Sequence, residues 1–241
     1  MICMRPGFNP MDEDCQPGSG RYAAVDVRQL EGHLYVPTPA TGIAVIADAF
    51  PQSGLRSITH SIEARLRRSH LGTCQIGLLD REELGRLWLQ NDVPLLANRF
   101  AAVLHYLKKQ EETAHLPIAL VGNQQAAAAA LMAATEYPEW VQAVVCVAGN
   151  PDAATAILAR VATPTILVVP SKSESLLQSN QRAFWKLRCT SQLAVIRDAG
   201  PRFAELDALL ACRNVIAQWC ARYLKTADTD PTKKTFSCSG F

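Results

Sequence analysis

A surplus of charge of either sign is what this sequence has least of: 24 lysines and arginines stand against 22 aspartates and glutamates, a net of +2 over 241 residues. So small an excess gives no electrostatic footprint for nucleic acid or an anionic membrane. Aromatic residues are few, at 7%, yet 49% of the chain is hydrophobic and 19% charged, which excludes a disordered or fibrous chain and leaves ample apolar surface for a core. No apolar run approaches the roughly 18 residues that cross a bilayer, so no membrane segment is expected. The first twenty residues carry Arg5 but then Asp12, Glu13 and Asp14, without the apolar middle of a signal peptide, and a cytoplasmic chain is expected. The eight cysteines (Cys3, Cys15, Cys74, Cys146, Cys189, Cys212, Cys220 and Cys238) include no Cys-x-x-Cys pair. Cys74 and Cys146 sit in apolar runs, so reduced, mostly buried thiols are expected. His-x-x-x-His, an acidic calcium loop and Gly-x-Gly-x-x-Gly are all absent, and no metal or cofactor is expected.

What the chain does carry is a cadence of β-branched apolar runs and helical repeats. Segments 23–30 and 33–36 predict a hairpin turning at Glu31 and Gly32, antiparallel at one sheet edge. Residues 42–47, Gly-Ile-Ala-Val-Ile-Ala, are a continuous apolar run of the kind shown by a strand buried on both faces. Further strands are expected at 73–79, 118–121, 141–148, 165–169 and 192–196. Helices are expected at 56–69, 95–110, 125–135, 176–187 and 206–224. In the second of these Leu96, Phe100, Val103, Leu104 and Leu107 recur at helical spacing, and Pro138 closes the alanine-rich third. Strands alternating with helices imply an α/β protein with a doubly wound, mostly parallel sheet, whose ligand site lies outside the carboxyl ends of the strands. One domain over 21–225 accounts for all of them. Residues 1–20 and 226–241, the latter with Lys233 and Lys234, are expected to be disordered ends, or arms for interaction. The basic run Arg65, Arg67 and Arg68 reads as a solvated helix face.

Within this order, residues 121–126 read Val-Gly-Asn-Gln-Gln-Ala, between an apolar run and a helix of small residues. Together with the hairpin, the 43–47 run, Leu78-Leu79-Asp80, Leu116-Pro117-Ile118 and Pro164-Thr165-Ile166-Leu167, this gives residues 25–224 an order and spacing that resembles the dienelactone-hydrolase-like branch of the α/β-hydrolases. The resemblance implies that fold, with its nucleophile elbow, Gly-x-Ser-x-Gly, at 122–126. Carried over residue by residue, the nucleophile position falls on Gln124, whose neutral amide cannot form an acyl-enzyme. Gly122 is kept, and Ala126 replaces the second glycine. The acid position falls on Ser173, with Glu174 as a shifted substitute. The base position falls on Pro201 within 198–203, and no histidine follows His115. The oxyanion segment His-Gly becomes Asp48-Ala49, followed by Phe50, and a carboxylate there opposes a developing negative charge.

The expected pocket consists of Asp48, Ala49, Phe50, Asn123, Gln124, Gln125, Ser173, Glu174, Asp198 and Arg202. Asp48, Asp80, Glu174 and Asp198 all fall near predicted strand ends, with Lys172, Arg197 and Arg202 close in sequence. Gathered in one crevice they would bind a cation or a polar metabolite, or run acid/base chemistry without a covalent step; scattered, they are solvated loop charges. His60, early in its helix, is the candidate for a relocated base, and Ser171 and Ser173 are hydroxyls at a strand end with no base beside them. His33, His70, His105 and His115 are assigned no catalysis, and Cys146 reads as an inert core thiol. Three functions are compatible with these residues. The first is a non-catalytic pseudo-hydrolase that binds a small molecule or a protein partner. The second is a lyase, isomerase or cyclase using the crevice, and the third an esterase with relocated residues. A homodimer through an edge strand or the closing helix suits this fold, although no sequence feature demands it.

Overall fold

Each long β-branched run of the sequence lies inside one mixed sheet. The computed structural model describes residues 20–27, 30–48, 56–80 and 82–225. The expectations for the two chain ends fall outside these residues, apart from Gly20, which opens the first strand. The strands are β1 (Gly20–Val27), β2 (Leu30–Pro37), β3 (Ile43–Asp48), β4 (Gly72–Gly77), β5 (Ile118–Asn123), β6 (Val141–Val147), β7 (Thr165–Pro170) and β8 (Ser191–Ile196), in the order β1-β2-β4-β3-β5-β6-β7-β8. The pairs β1·β2 and β2·β4 are antiparallel, and every other pair is parallel. Strands β3, β5 and β7 are buried along their whole length, as central strands with both faces covered must be.

Among the described residues six α-helices flank the sheet: α1 (Arg56–Arg67), α2 (Leu87–Gln90), α3 (Val93–Lys109), α4 (Ala126–Glu136), α5 (Glu174–Lys186) and α6 (Leu206–Tyr223). Ile58, Ile62 and Leu66 of α1 and Cys212, Ile216 and Cys220 of α6 pack with Ile46, Val121 and Val145 in one core layer. Leu96, Phe100, Leu104 and Leu107 of α3, the alanines of α4 and Ala183 of α5 pack with Val45, Leu120 and Cys146 in the other. This is the expected doubly wound architecture. None of the helices among the described residues is long and apolar enough to cross a membrane.

Three local expectations are corrected. The hairpin closes at the pair Val27↔Leu30, not at Glu31 and Gly32, which lie inside β2 opposite Asp26 and Val25. Gly32 is small because the strands crowd there: a Cβ would stand 2.4 Å from the Gln75 carbonyl oxygen. Helix α5 begins at Glu174, two residues early, with Ser173 at its N-cap position. The segment after β4 also holds structure that hydrophobic periodicity did not reveal. Asp80 Oδ1 accepts from the backbone N–H of Glu82 and Glu83 (2.9 and 2.8 Å), and Glu83 Oε2 accepts from Asp80 N–H (3.0 Å), a reciprocal capping box that starts a 3₁₀ turn at Glu83–Gly85. The readable signal was the acidic pair spaced by three.

The basic run on α1 is also not a solvated face throughout. The Arg67 side chain is 14% exposed, donates to Glu63 Oε1 (3.2 Å) and Thr73 Oγ1 (3.2 Å), and lies over the Tyr35 ring at 4.6 Å. The His33 ring pairs with the same Glu63 oxygen at 3.2 Å, so one buried carboxylate ties β2, the strand next to the sheet edge, to α1. Burial alone would raise the Glu63 pKa, but the hydrogen bond and charge of His33, with the charges of Arg67 and His60, outweigh it and hold the carboxyl below its ordinary value. A carboxyl depressed in the folded state stabilises it above the unfolded pKa and loses that contribution as pH falls through the folded one. Glu63→Gln should therefore lower stability at pH 7 by about 2 kcal/mol and flatten its fall below about pH 5. Urea titrations at both pH values check this, and coincident wild-type and variant midpoints at pH 7 would rule it out.

Candidate functional site

The chain runs from β3 through α1 to β4 on one side, then returns past β3 to place β5 on the other. The direction of winding therefore reverses between β3 and β5, and the carboxyl ends of these two strands, Asp48 paired with Asn123, flank the switch point where open α/β sheets bind ligands. Directly after Asn123 the chain turns sharply into α4. Gln124 stands at the apex with φ 46°, in the left-handed region that disfavours residues with a Cβ. Its N–H donates to the Val147 carbonyl (2.8 Å), and its own carbonyl accepts from Ala127 N–H (3.2 Å). A Cβ on Gly122 would stand 2.5 Å from the Ala126 carbonyl oxygen, and one on Gly149 would stand 2.2 Å from the Ala127 Cβ. Strand, strained apex and closely packed helix together make a nucleophile elbow in backbone geometry, with glutamine where the nucleophile is presented.

Two hollows meet at this apex. A crevice of about 350 Å³ is lined by Asn91, Val93, Gln124, Gln125, Ala128, Ala148, Gly149, Asn150, Ala153, Leu176 and Pro201. A narrow slot on its other side is bounded by Ile58, Asn123, Gln124, Val147, Ala148 and Phe203. Of the expected pocket residues, Gln124 and Gln125 line the crevice, Asn123 and Gln124 line the slot, and Pro201 of the expected base position also borders the crevice. Ala49 and Phe50 lie outside the described residues. Asp48 lines neither hollow, because its carboxylate is drawn under α1, where Thr59 Oγ1 donates to Oδ2 at 3.2 Å. Ser173 is taken up at the start of α5, Glu174 points to Gln178 one turn on (2.8 Å), and Asp198 and Arg202 are exposed. The acidic residues accordingly form no ring: Asp80 caps its own turn, and Lys172 pairs with Glu205 (3.4 Å) instead. Asn91, Val93, Ala128, Ala148, Gly149, Asn150, Ala153 and Leu176 were not anticipated. Asn91 and Val93 follow from the missed α2, and Asp92, which caps α3 by accepting from Leu95 N–H at 3.0 Å, was the signal that fixed them.

Under the elbow runs a short buried chain of polar groups. Asn123 Nδ2 donates to Thr59 Oγ1 (3.3 Å), which donates to Asp48, and Asn123 Oδ1 has no partner among the described residues. Burial raises the Asp48 pKa, against the hydrogen bonds of Asn123 and Thr59. Cys146 lies beneath α4, its Sγ 3.6 Å from the Ala127 carbonyl, and burial pushes its thiol far up, as an inert core thiol requires. His60 is exposed on α1 and lines neither hollow. Among the described residues, no group of three or more His, Cys, Asp or Glu is placed to hold a metal ion.

The sheet order and the elbow define an α/β-hydrolase fold. The chain is similar to the dienelactone hydrolase of Anabaena variabilis, with 32% identity and a TM-score of 0.81 over 86% of this chain and 100% of that one. It belongs to the dienelactone-hydrolase-like family of α/β-hydrolases. At 15% identity it also shares its fold with a dienelactone-hydrolase-like promiscuous phosphotriesterase from metagenomic libraries, with a TM-score of 0.66 over 86% of this chain and 99% of that one. No family model matches the chain. Two curated relatives from Mycobacterium tuberculosis strains, provisionally named phosphoribosyl transferases, are 34% identical over 200 residues, 81% of this chain. The chain spans 44% of the length of these relatives.

The elbow makes opposite predictions for two neighbouring positions. Gly122→Ala should lower stability by about 2 kcal/mol, since a methyl group cannot enter between β5 and α4 without moving backbone. Gln124→Gly should raise it by about 0.5 kcal/mol, the relief of left-handed strain exceeding the added freedom of the unfolded chain. Chemical denaturation of both variants is the check, and a tolerated alanine at 122 would show that the turn is not held by close packing.

Proposed function

We propose that this protein is a pseudo-hydrolase: a dienelactone-hydrolase-like fold that does not perform acyl transfer at its elbow and acts by binding a small molecule or a protein partner at the crevice. The observation that carries this reading is Gln124 at the apex, with φ 46°. A carboxamide at that point offers no nucleophile, and the loop after β8, Asp198 to Glu205, supplies no histidine to activate one. The crevice lining supports the same reading. Among the described residues it contains no aspartate, glutamate, histidine, lysine, cysteine or tyrosine, so proton transfer by a side chain has no donor or acceptor there. That lining also weighs against the lyase or isomerase reading, and the exposed position of His60 on α1 against a relocated esterase.

The provisional name of the Mycobacterium relatives fits this proposal if the transferase activity resides in the part of those longer proteins that this chain does not match. The similar Anabaena hydrolase is covered over its full length by this chain, so the matched portion accounts for a complete hydrolase-like unit, leaving more than half of each relative for other work.

The test is a labelling experiment. The purified chain, exposed to a fluorophosphonate probe and short-chain p-nitrophenyl esters beside an active hydrolase, should show neither labelling nor turnover above background. Gln124→Ser, which restores a hydroxyl without a base, should stay at least about a thousandfold below the control. Stoichiometric labelling of the wild-type chain would overturn the proposal.

A further inference from the structure

The lining of the crevice is specific in a way that narrows its ligand. Four side-chain carboxamides, of Asn91, Gln124, Gln125 and Asn150, are set among Val93, Ala128, Ala153, Leu176 and Pro201, and none of the described lining residues is charged. The carboxamides are not equivalent. Ser179 donates its hydroxyl to Asn150 Oδ1, which leaves the Asn150 Nδ2 as the group still able to donate. Asn91 Nδ2 donates to the Leu87 carbonyl (3.4 Å), which leaves Asn91 Oδ1 as the group able to accept. The side chains of Gln124 and Gln125 have no hydrogen-bond partner among the described residues, and α4 begins beside them without a side-chain cap. A site of this volume, within the roughly 300–1,000 Å³ of small-molecule pockets, has room for a ligand of modest size.

Resting on the reading of this crevice as a binding site, we infer that its ligand is an uncharged molecule with an apolar body and a head group that both donates and accepts hydrogen bonds, such as a primary carboxamide. The reasoning is electrostatic. An anion or cation entering the crevice meets no opposite charge among the described lining residues, so the water it gives up there goes uncompensated. A neutral carboxamide exchanges its water for Asn and Gln amides of the same kind, each able to offer a donor and an acceptor. The apolar walls then contribute burial of the ligand body in proportion to its area.

Three isosteric probes separate the outcomes: benzamide, benzoate and benzamidine, which are neutral, anionic and cationic at pH 7. With the ¹⁵N-labelled 241-residue chain, benzamide should shift the side-chain amide signals of Gln124, Gln125, Asn91 and Asn150 and the backbone signal of Gly149. The two ions should bind at least about tenfold more weakly. In Gln125→Glu the order should invert, benzamidine gaining and benzamide losing about tenfold. Benzoate or benzamidine binding the wild-type crevice as tightly as benzamide would overturn the inference about the ligand while leaving the crevice a binding site. A dispersed spectrum in which none of the three probes moves a crevice signal up to tens of millimolar would overturn both.

Discussion

The helix α4 can lie as close to β5 and β6 as it does only where the points of nearest backbone approach carry no more than a methyl group. The residues at the contact meet that limit: Gly122 on the strand, Gly149 just after β6, and Ala126 to Ala130 on the helix, all five alanines buried. This close approach fixes much else in the site. It forces the chain from strand to helix within two residues, Gln124 and Gln125, which puts Gln124 into the left-handed region. It brings the end of β6 against the same residue, through the Gln124 N–H bond to Val147, so that Ala148 and Gly149 become one wall of the crevice. The cavity at the switch point is thus a by-product of small-residue packing, and its position is as rigid as the core layer beneath it.

The same packing explains why the polar residues around the switch point divide into two populations. Those on the sheet side, Asp48, Thr59 and Asn123, are buried beneath the elbow and linked in a chain of hydrogen bonds that leaves only Asn123 Oδ1 without a partner among the described residues. Those on the solvent side are carboxamides, Gln124 and Gln125 half-buried and Asn91 and Asn150 exposed, which need no counter-charge because they remain neutral. Ionised groups are held at the rim by partners of their own: Lys172 with Glu205, and Asp152 with Arg182 and Lys186. A crevice built this way is polar in its hydrogen bonding and neutral in its charge.

Most of the fold was legible because it is written in periodicity. The buried runs at 43–47 and 165–169 and the heptad-like spacing of Leu96, Phe100, Val103 and Leu107 each specify their element by hydrophobic pattern alone. The hairpin turn was misplaced because glycine marks either a turn or a close backbone approach, and at Gly32 the approach to Gln75 decides. The site was legible only at its apex. Gln124 and Gln125 follow from the order of strand, turn and small-residue helix, whereas Asn91 and Asn150 reach the crevice from two other loops whose paths depend on caps and 3₁₀ turns, and Leu176 reaches it from the first turn of α5. The carboxylates were misjudged for a related reason. Position near a strand end is readable from sequence, but whether a side chain turns toward the crevice or beneath the helix is set by partners such as Thr59 and Gln178, which lie on other elements or one turn away.

An elbow in the backbone is often taken as a sign of the chemistry it serves in active enzymes. Here the physical argument runs the other way. The left-handed residue is required by the contact of Gly122 with Ala126 and of Gly149 with Ala127, and these contacts belong to the core whatever side chain the apex presents. A chain that lost its nucleophile would still keep the turn, since abandoning it would mean pulling α4 off the sheet and exposing a row of buried alanines. Conservation of shape at the elbow is therefore a statement about packing, and the chemistry must be argued from the side chains that the shape displays. Those side chains are amides rather than a hydroxyl, an imidazole and a carboxylate, and an amide offers a neutral hydrogen-bond donor and acceptor side by side instead of a nucleophile or a base.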